Sequence, residues 1–108
     1  MTINPLAARF DATRSLAFGA IGATYTTLGT PLVHLTRIIK LVNTTNADVQ
    51  VSFDGVTDND YIPAGGFSLY DLWSDGLSTS PSTQVFVKYV SAPGSGSFIL
   101  TCIYAKGQ

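Results

Sequence analysis

The sequence contains no glutamate, and only 12% of its 108 residues are charged, against about 25% in typical soluble domains. Surface helices are usually coated with Glu, Lys and Arg, so this shortage argues against a helical protein. Serine, threonine, asparagine and glycine fill the polar positions instead, a balance that suits strands and turns. The shortage of charge also points to burial between subunits, since interface cores are depleted of charged residues.

Other scarcities exclude chemistry. One cysteine, Cys102, leaves no intrachain disulfide framework and no cysteine-based zinc site; its place in a strand-like run marks it as a small hydrophobe. One histidine, His34, cannot build a histidine-rich zinc site. Any Ser-His-Asp arrangement would have to pass through it, yet no Gly-x-Ser-x-Gly motif accompanies it. A packed structural histidine is the expectation.

No apolar run approaches the ~20 residues that cross a bilayer as a helix. Met1-Thr2-Ile3-Asn4-Pro5 lacks the basic and apolar regions of a secretory signal, so synthesis in a cytoplasm is expected and the Asn43-Thr44-Thr45 sequon reads as chance. The net charge of −1 and six scattered basic residues offer no footprint for nucleic acid or an anionic membrane. No cofactor is implied.

What is present reads as one all-β domain, an antiparallel sandwich of about seven strands, preceded by an N-terminal arm over residues 1–14. The stretch Leu16 to Leu28, interrupted by Gly19 and Gly22, suggests a strand with bends. Leu32 to Val42 alternates imperfectly and fits a long strand with both faces partly covered. After the turn Asn43-Thr44-Thr45-Asn46, Val49, Val51 and Phe53 alternate with polar residues. Tyr61-Ile62 is a short extended piece, and Phe67 to Trp73 alternates again, with Phe67, Leu69 and Asp71 on one side. Gln84 to Val90 and Ser97 to Tyr104, joined by Ala92-Pro93-Gly94-Ser95-Gly96, predict a terminal hairpin. Jelly-roll and immunoglobulin-like topologies both satisfy this pattern.

Asp54, Asp58 and Asp60 have the spacing of oxygen ligands in a calcium loop, but the glycine and glutamate that complete such a loop are missing. Turn chemistry accounts for them. Trp73, with Asp71, Asp75 and Tyr70 nearby, is where a carbohydrate platform would sit, although packing at the core edge explains a tryptophan as well. No nucleophile and base are marked as a pair, so the chain is not expected to be an enzyme.

The segment from Ile38, Ile-Ile-Lys-Leu-Val-Asn-Thr-Thr-Asn-Ala-Asp-Val-Gln-Val-Ser-Phe-Asp-Gly followed by Tyr-Ile-Pro-Ala-Gly-Gly, resembles a strand-turn-strand pattern of small tailed-bacteriophage virion proteins. The closing Val-Phe-Val-Lys-Tyr and Phe-Ile-Leu-Thr-Cys-Ile-Tyr-Ala-Lys strands extend the resemblance to Lys106. It implies a virion structural protein, a capsid decoration or cement subunit or a head-tail connector component. Such a protein would form a homo-oligomer and bind other virion proteins (capsid, portal or tail), without nucleic acid or membrane as partners. Position suggests the contacts: the arm at Asn4, Pro5, Leu6, Arg9 and Phe10, and the loops at Asp58, Asn59 and Asp60 and at Leu77 to Pro81. The alternative is a carbohydrate- or ligand-binding β module, such as a receptor-binding component, using Trp73, Tyr70 and the Asp-rich loop.

Overall fold

The computed structural model describes residues 8–74, 76–80 and 82–105. Nine strands occur among them, two more than the alternation suggested: β1 (Ala8–Phe10), β2 (Arg14–Ala17), β3 (Thr26–Thr27), β4 (Thr36–Asn43), β5 (Val49–Ser52), β6 (Asp60–Ile62), β7 (Phe67–Asp71), β8 (Phe86–Tyr89) and β9 (Ser97–Ala105). A short 3-10 turn, Phe18–Ala20, follows β2. The expected bent strand over Leu16 to Leu28 is thus two short strands separated by this turn.

The strands form two antiparallel sheets. In the β9 sheet the order is β2-β9-β4-β7, with β1 pairing the far end of β9 beyond β2; in the β8 sheet it is β3-β8-β5-β6. Eight strands in this arrangement make a jelly roll, which removes the immunoglobulin-like alternative. The expected arm divides: Ala8–Phe10 belongs to the β9 sheet, whereas Asn4, Pro5 and Leu6 lie outside the described residues.

The topology corrects the terminal hairpin. β8 and β9 do not pair; they lie in different sheets, and their linker crosses from one to the other. Its short Pro/Gly/Ser composition suits a tight turn, but tertiary contacts settle the outcome. Gly94 N–H donates to Asn46 Oδ1 at 2.8 Å, and Ser97 C=O accepts from Thr44 N–H at 2.9 Å. Gly96 has φ +85°, and a Cβ there would lie 2.2 Å from the Thr44 carbonyl oxygen, so only glycine lets the linker lie against the neighbouring β4–β5 crossover. Among the described strands, β5 and β6 are the one pair of sequence neighbours that hydrogen-bond directly.

The core lies between the sheets. Ile39 and Leu41 of β4 and Phe98, Leu100 and Cys102 of β9 face Val49 and Val51 of β5, Ile62 of β6 and Val87 of β8, all essentially inaccessible. β4 begins at Thr36 and not at Leu32. A register shift separates Thr36 from Ile38, and the Leu32 amide donates to the Thr83 carbonyl at 2.7 Å, outside the ladder.

Asn43 brackets the two sheets. It is fully buried at the end of β4; its Nδ2 donates to the Ala47 and Ile62 carbonyls at 2.9 and 3.0 Å, while its Oδ1 accepts from the Thr45 amide and hydroxyl. A buried amide with its donors and acceptor engaged fixes geometry, because leaving any of these groups unmade costs desolvation.

Candidate contact surface

Side chains alternate along a strand, so the buried residues of β4 and β9 identify their neighbours as outward-facing. Cross-strand register assembles these neighbours into rows: Phe10, Ile103, Ile38 and Asp71; then Thr101, Lys40 and Leu69; then Ser15, Ile99, Val42 and Phe67. Seven of these eleven are large apolar residues. Phe10, Phe67 and Leu69 are 63%, 65% and 57% exposed, and the isoleucines and Val42 are partly exposed. Lys40 and Asp71 are the two charges in these rows, and the Lys40 ammonium lies 5.7 Å from the Phe67 ring centre, a distance at which the ring attracts it. An antiparallel sheet with one wet face normally alternates apolar and polar residues. β4 and β9 instead carry apolar residues on both faces.

The outer face of the β8 sheet is built differently. Tyr61, Gln50 and Lys88 form one row, with Ser52 and Phe86 in the next. Lys88 Nζ stands 4.6 Å above the Tyr25 ring and 3.3 Å from Asp58, whose carboxylate accepts from the Tyr25 hydroxyl. The Asp54 loop covers Phe86, with Gly55 (φ +81°) against the ring. The Asp54 carboxylate accepts from the Val56 and Thr57 amides and from the Thr57 and Ser52 hydroxyls, and these bonds hold its pKa far below the usual carboxylate value.

The three aspartates with calcium-loop spacing therefore serve separate purposes. Asp54 closes its own turn, and Asp58 joins Tyr25 and Lys88. Asp60 turns inward on β6, where its carboxylate accepts from the Tyr70 hydroxyl on β7 and so links the sheets at their edge. Burial works to raise the Asp60 pKa, but hydrogen bonds from Tyr70, Ser68 and the Tyr61 amide outweigh it and keep it below the ordinary value. Burial first and then the Asp60 carboxylate push Tyr70 upward, against a smaller lowering by Ser68, and Tyr25 is raised likewise by burial and then by Asp58. No group of three metal-ligating side chains occurs among the described residues.

The remaining sequence-derived contacts are scattered. Arg9 sits opposite Tyr104 on the other side of β1, and Phe10 joins the apolar face. Asn59 secures its loop, its Oδ1 accepting from the Phe53 amide. Leu77 is exposed, while Pro81 lies outside the described residues. His34 stacks on Tyr104 with ring centres 3.6 Å apart. Trp73 is partly buried, with the Arg37 guanidinium 6.0 Å from its ring centre, and Tyr70 points between the sheets. Tyr70 instead lines an apolar cavity of about 280 Å³ with Ile39, Phe53, Leu72, Thr79 and Thr83. Most of the apolar face escaped the sequence-derived set of contacts, although the uninterrupted Phe98-Ile99-Leu100 run carried its signal.

No family model and no curated protein matches the chain. Among solved structures, a chain from Bacillus endospore appendages, described as a novel family of disulfide-linked pili, is similar with a TM-score of 0.50 and 17% sequence identity, over 91% of this chain and 88% of that one. At that identity the likeness is one of fold.

Proposed function

We propose that this chain is a non-enzymatic structural subunit that acts by protein–protein contact, assembling with copies of itself and with neighbouring proteins. The observation that carries this reading is the apolar outer face of the β9 sheet, where Phe10, Ile38, Val42, Phe67, Leu69, Ile99 and Ile103 share one surface. Contiguous exposed apolar patches of this kind mark interaction surfaces. In the setting that the Ile38 to Gly66 resemblance implies, the assembly is a tailed-phage virion and the neighbours are capsid, portal or tail proteins. Repetition on a symmetric particle multiplies a modest contact through avidity.

The pilus protein of similar fold supports the general idea that a jelly roll of this size suits repeated assembly. Its disulfide chemistry does not carry over. The one cysteine, Cys102, is fully buried between the sheets, and burial raises its thiol pKa to about 11, which leaves it unreactive at neutral pH.

The native mass of the full chain by light scattering tests the proposal. A defined oligomer supports it. A clean monomer that responds on a glycan array would overturn it in favour of the ligand-binding alternative.

A further inference from the structure

We infer that the apolar face of the β9 sheet binds a second copy of this chain, face to face about a two-fold axis; this rests on the assembly reading above and names its partner. Three observations choose a second copy as the occupant. The first is area. Four strands about 4.8 Å apart and roughly 13–30 Å long give a face of roughly 400 Å² in projection, and more with side-chain relief. Two such faces together bury on the order of 1,000 Å², the threshold for a specific contact.

The second observation is charge. Among the described residues, the paired rows of this face carry one cation, Lys40 on β4, and one anion, Asp71 on β7, one row and one strand apart, with the Arg37 guanidinium beyond the rows against Trp73. The rows therefore offer no run of like charge with which to select a strongly charged partner, yet they are complementary to themselves. A two-fold axis in the plane between two stacked faces, bisecting the line from Lys40 to Asp71, brings each ammonium to the other copy's carboxylate. Both pairs form at once. Asp71 is fixed for this role, because its carboxylate accepts from the Ser74 hydroxyl at 2.7 Å and from the Trp73 and Ser74 amides at 3.0 and 3.2 Å.

The third observation is shape. The rows place branched aliphatic residues, Ile38, Val42, Ile99 and Ile103, across the two central strands, with the aromatic rings at the borders in Phe10 and Phe67. Sheets in general stack about 10 Å apart through interdigitating side chains of this kind.

Sedimentation equilibrium of the full chain across the micromolar range tests the inference. The expected result is a monomer–dimer equilibrium that Leu69→Lys and Lys40→Asp each weaken by about tenfold or more. Asp71→Lys alone is expected to be similarly weak, but an equimolar mixture of Lys40→Asp and Asp71→Lys restores dimerisation, because in the mixed pair both contacts again join opposite charges. Thermal melting of each variant separates loss of contact from loss of fold, and Leu69→Lys keeps the test decisive if Asp71→Lys disturbs the turn at Ser74. An oligomer indifferent to Leu69→Lys and Lys40→Asp would overturn the stacked dimer and leave the assembly reading standing. A monomer throughout would overturn both.

Discussion

The two outer faces of this sandwich have opposite chemistry. On the β8 sheet the outward side chains are tied to one another: Lys88 to Tyr25 and Asp58, and Tyr61 to Asp48. On the β9 sheet they are mostly branched or aromatic hydrocarbons with one charge of each sign. The first surface satisfies its polar groups internally and can face water. The second leaves apolar area in water, and about 25 cal/mol is gained for each Å² that a partner removes from it. The polar network lies on one side of the sandwich, and the other side is the apolar face on which the proposed contact rests.

The largest expected effect separates the inside of the β9 sheet from its outside. Leu100 and Ile99 are sequence neighbours on opposite faces of β9, the former fully buried. Leu100→Ala should cost about 2–5 kcal/mol of folding stability in denaturant unfolding, whereas Ile99→Ala should cost under about 1 kcal/mol in the dissociated chain and act mainly on association. Equal losses at both positions would mean that the outer face is covered within one chain.

Next comes the bracket between the sheets. Asn43→Leu removes two donors from the Ala47 and Ile62 carbonyls and an acceptor from Thr45, so it should destabilise by about 1–3 kcal/mol. Unchanged unfolding midpoints would show that the β4–β5 crossover holds without it.

Titration should reveal the polar side. The carboxyls of Asp48, Asp54, Asp58 and Asp60 all have lowered pKa values in the fold, so their contribution is present above the unfolded carboxylate value and is lost as pH falls below about 4. Tyr25, Tyr61 and Tyr70 are raised. Their contribution is therefore present below about pH 10 and is lost at more alkaline pH. Melting temperature against pH should fall at both ends, and a curve flat through the acid range would count against the Tyr–Asp network. The smallest effect belongs to Lys88→Ala, expected within about 0–1 kcal/mol because the pair with Asp58 is exposed. It should not alter native mass.

Much of the fold was legible. The Val49-Gln50-Val51 alternation, the Asp-Gly turn and the Phe67, Leu69, Asp71 face occur as their pattern implies, because strand alternation is a local geometric consequence of the pleat. The Pro/Gly/Ser linker before β9 misled, since short linkers serve hairpins and sheet crossovers alike. Gly96 lies where it does because of Thr44, a residue 52 positions earlier in the chain. The contact surface was only partly legible. Phe10 was named for its place in the chain, but its neighbours Ile38, Phe67 and Ile103 come from three other strands.

The sequence by itself determined the fold class, the identity of most strands and the scarcity of charge, because composition and two-residue periodicity act over a few neighbouring residues. The tertiary structure decided the jelly-roll order, the inward turn of Asp60 to Tyr70 and the gathering of β1, β4, β7 and β9 side chains into one apolar face. Those outcomes depend on which strands meet. Strand pairing is settled by packing between segments far apart in the chain, which local pattern does not encode.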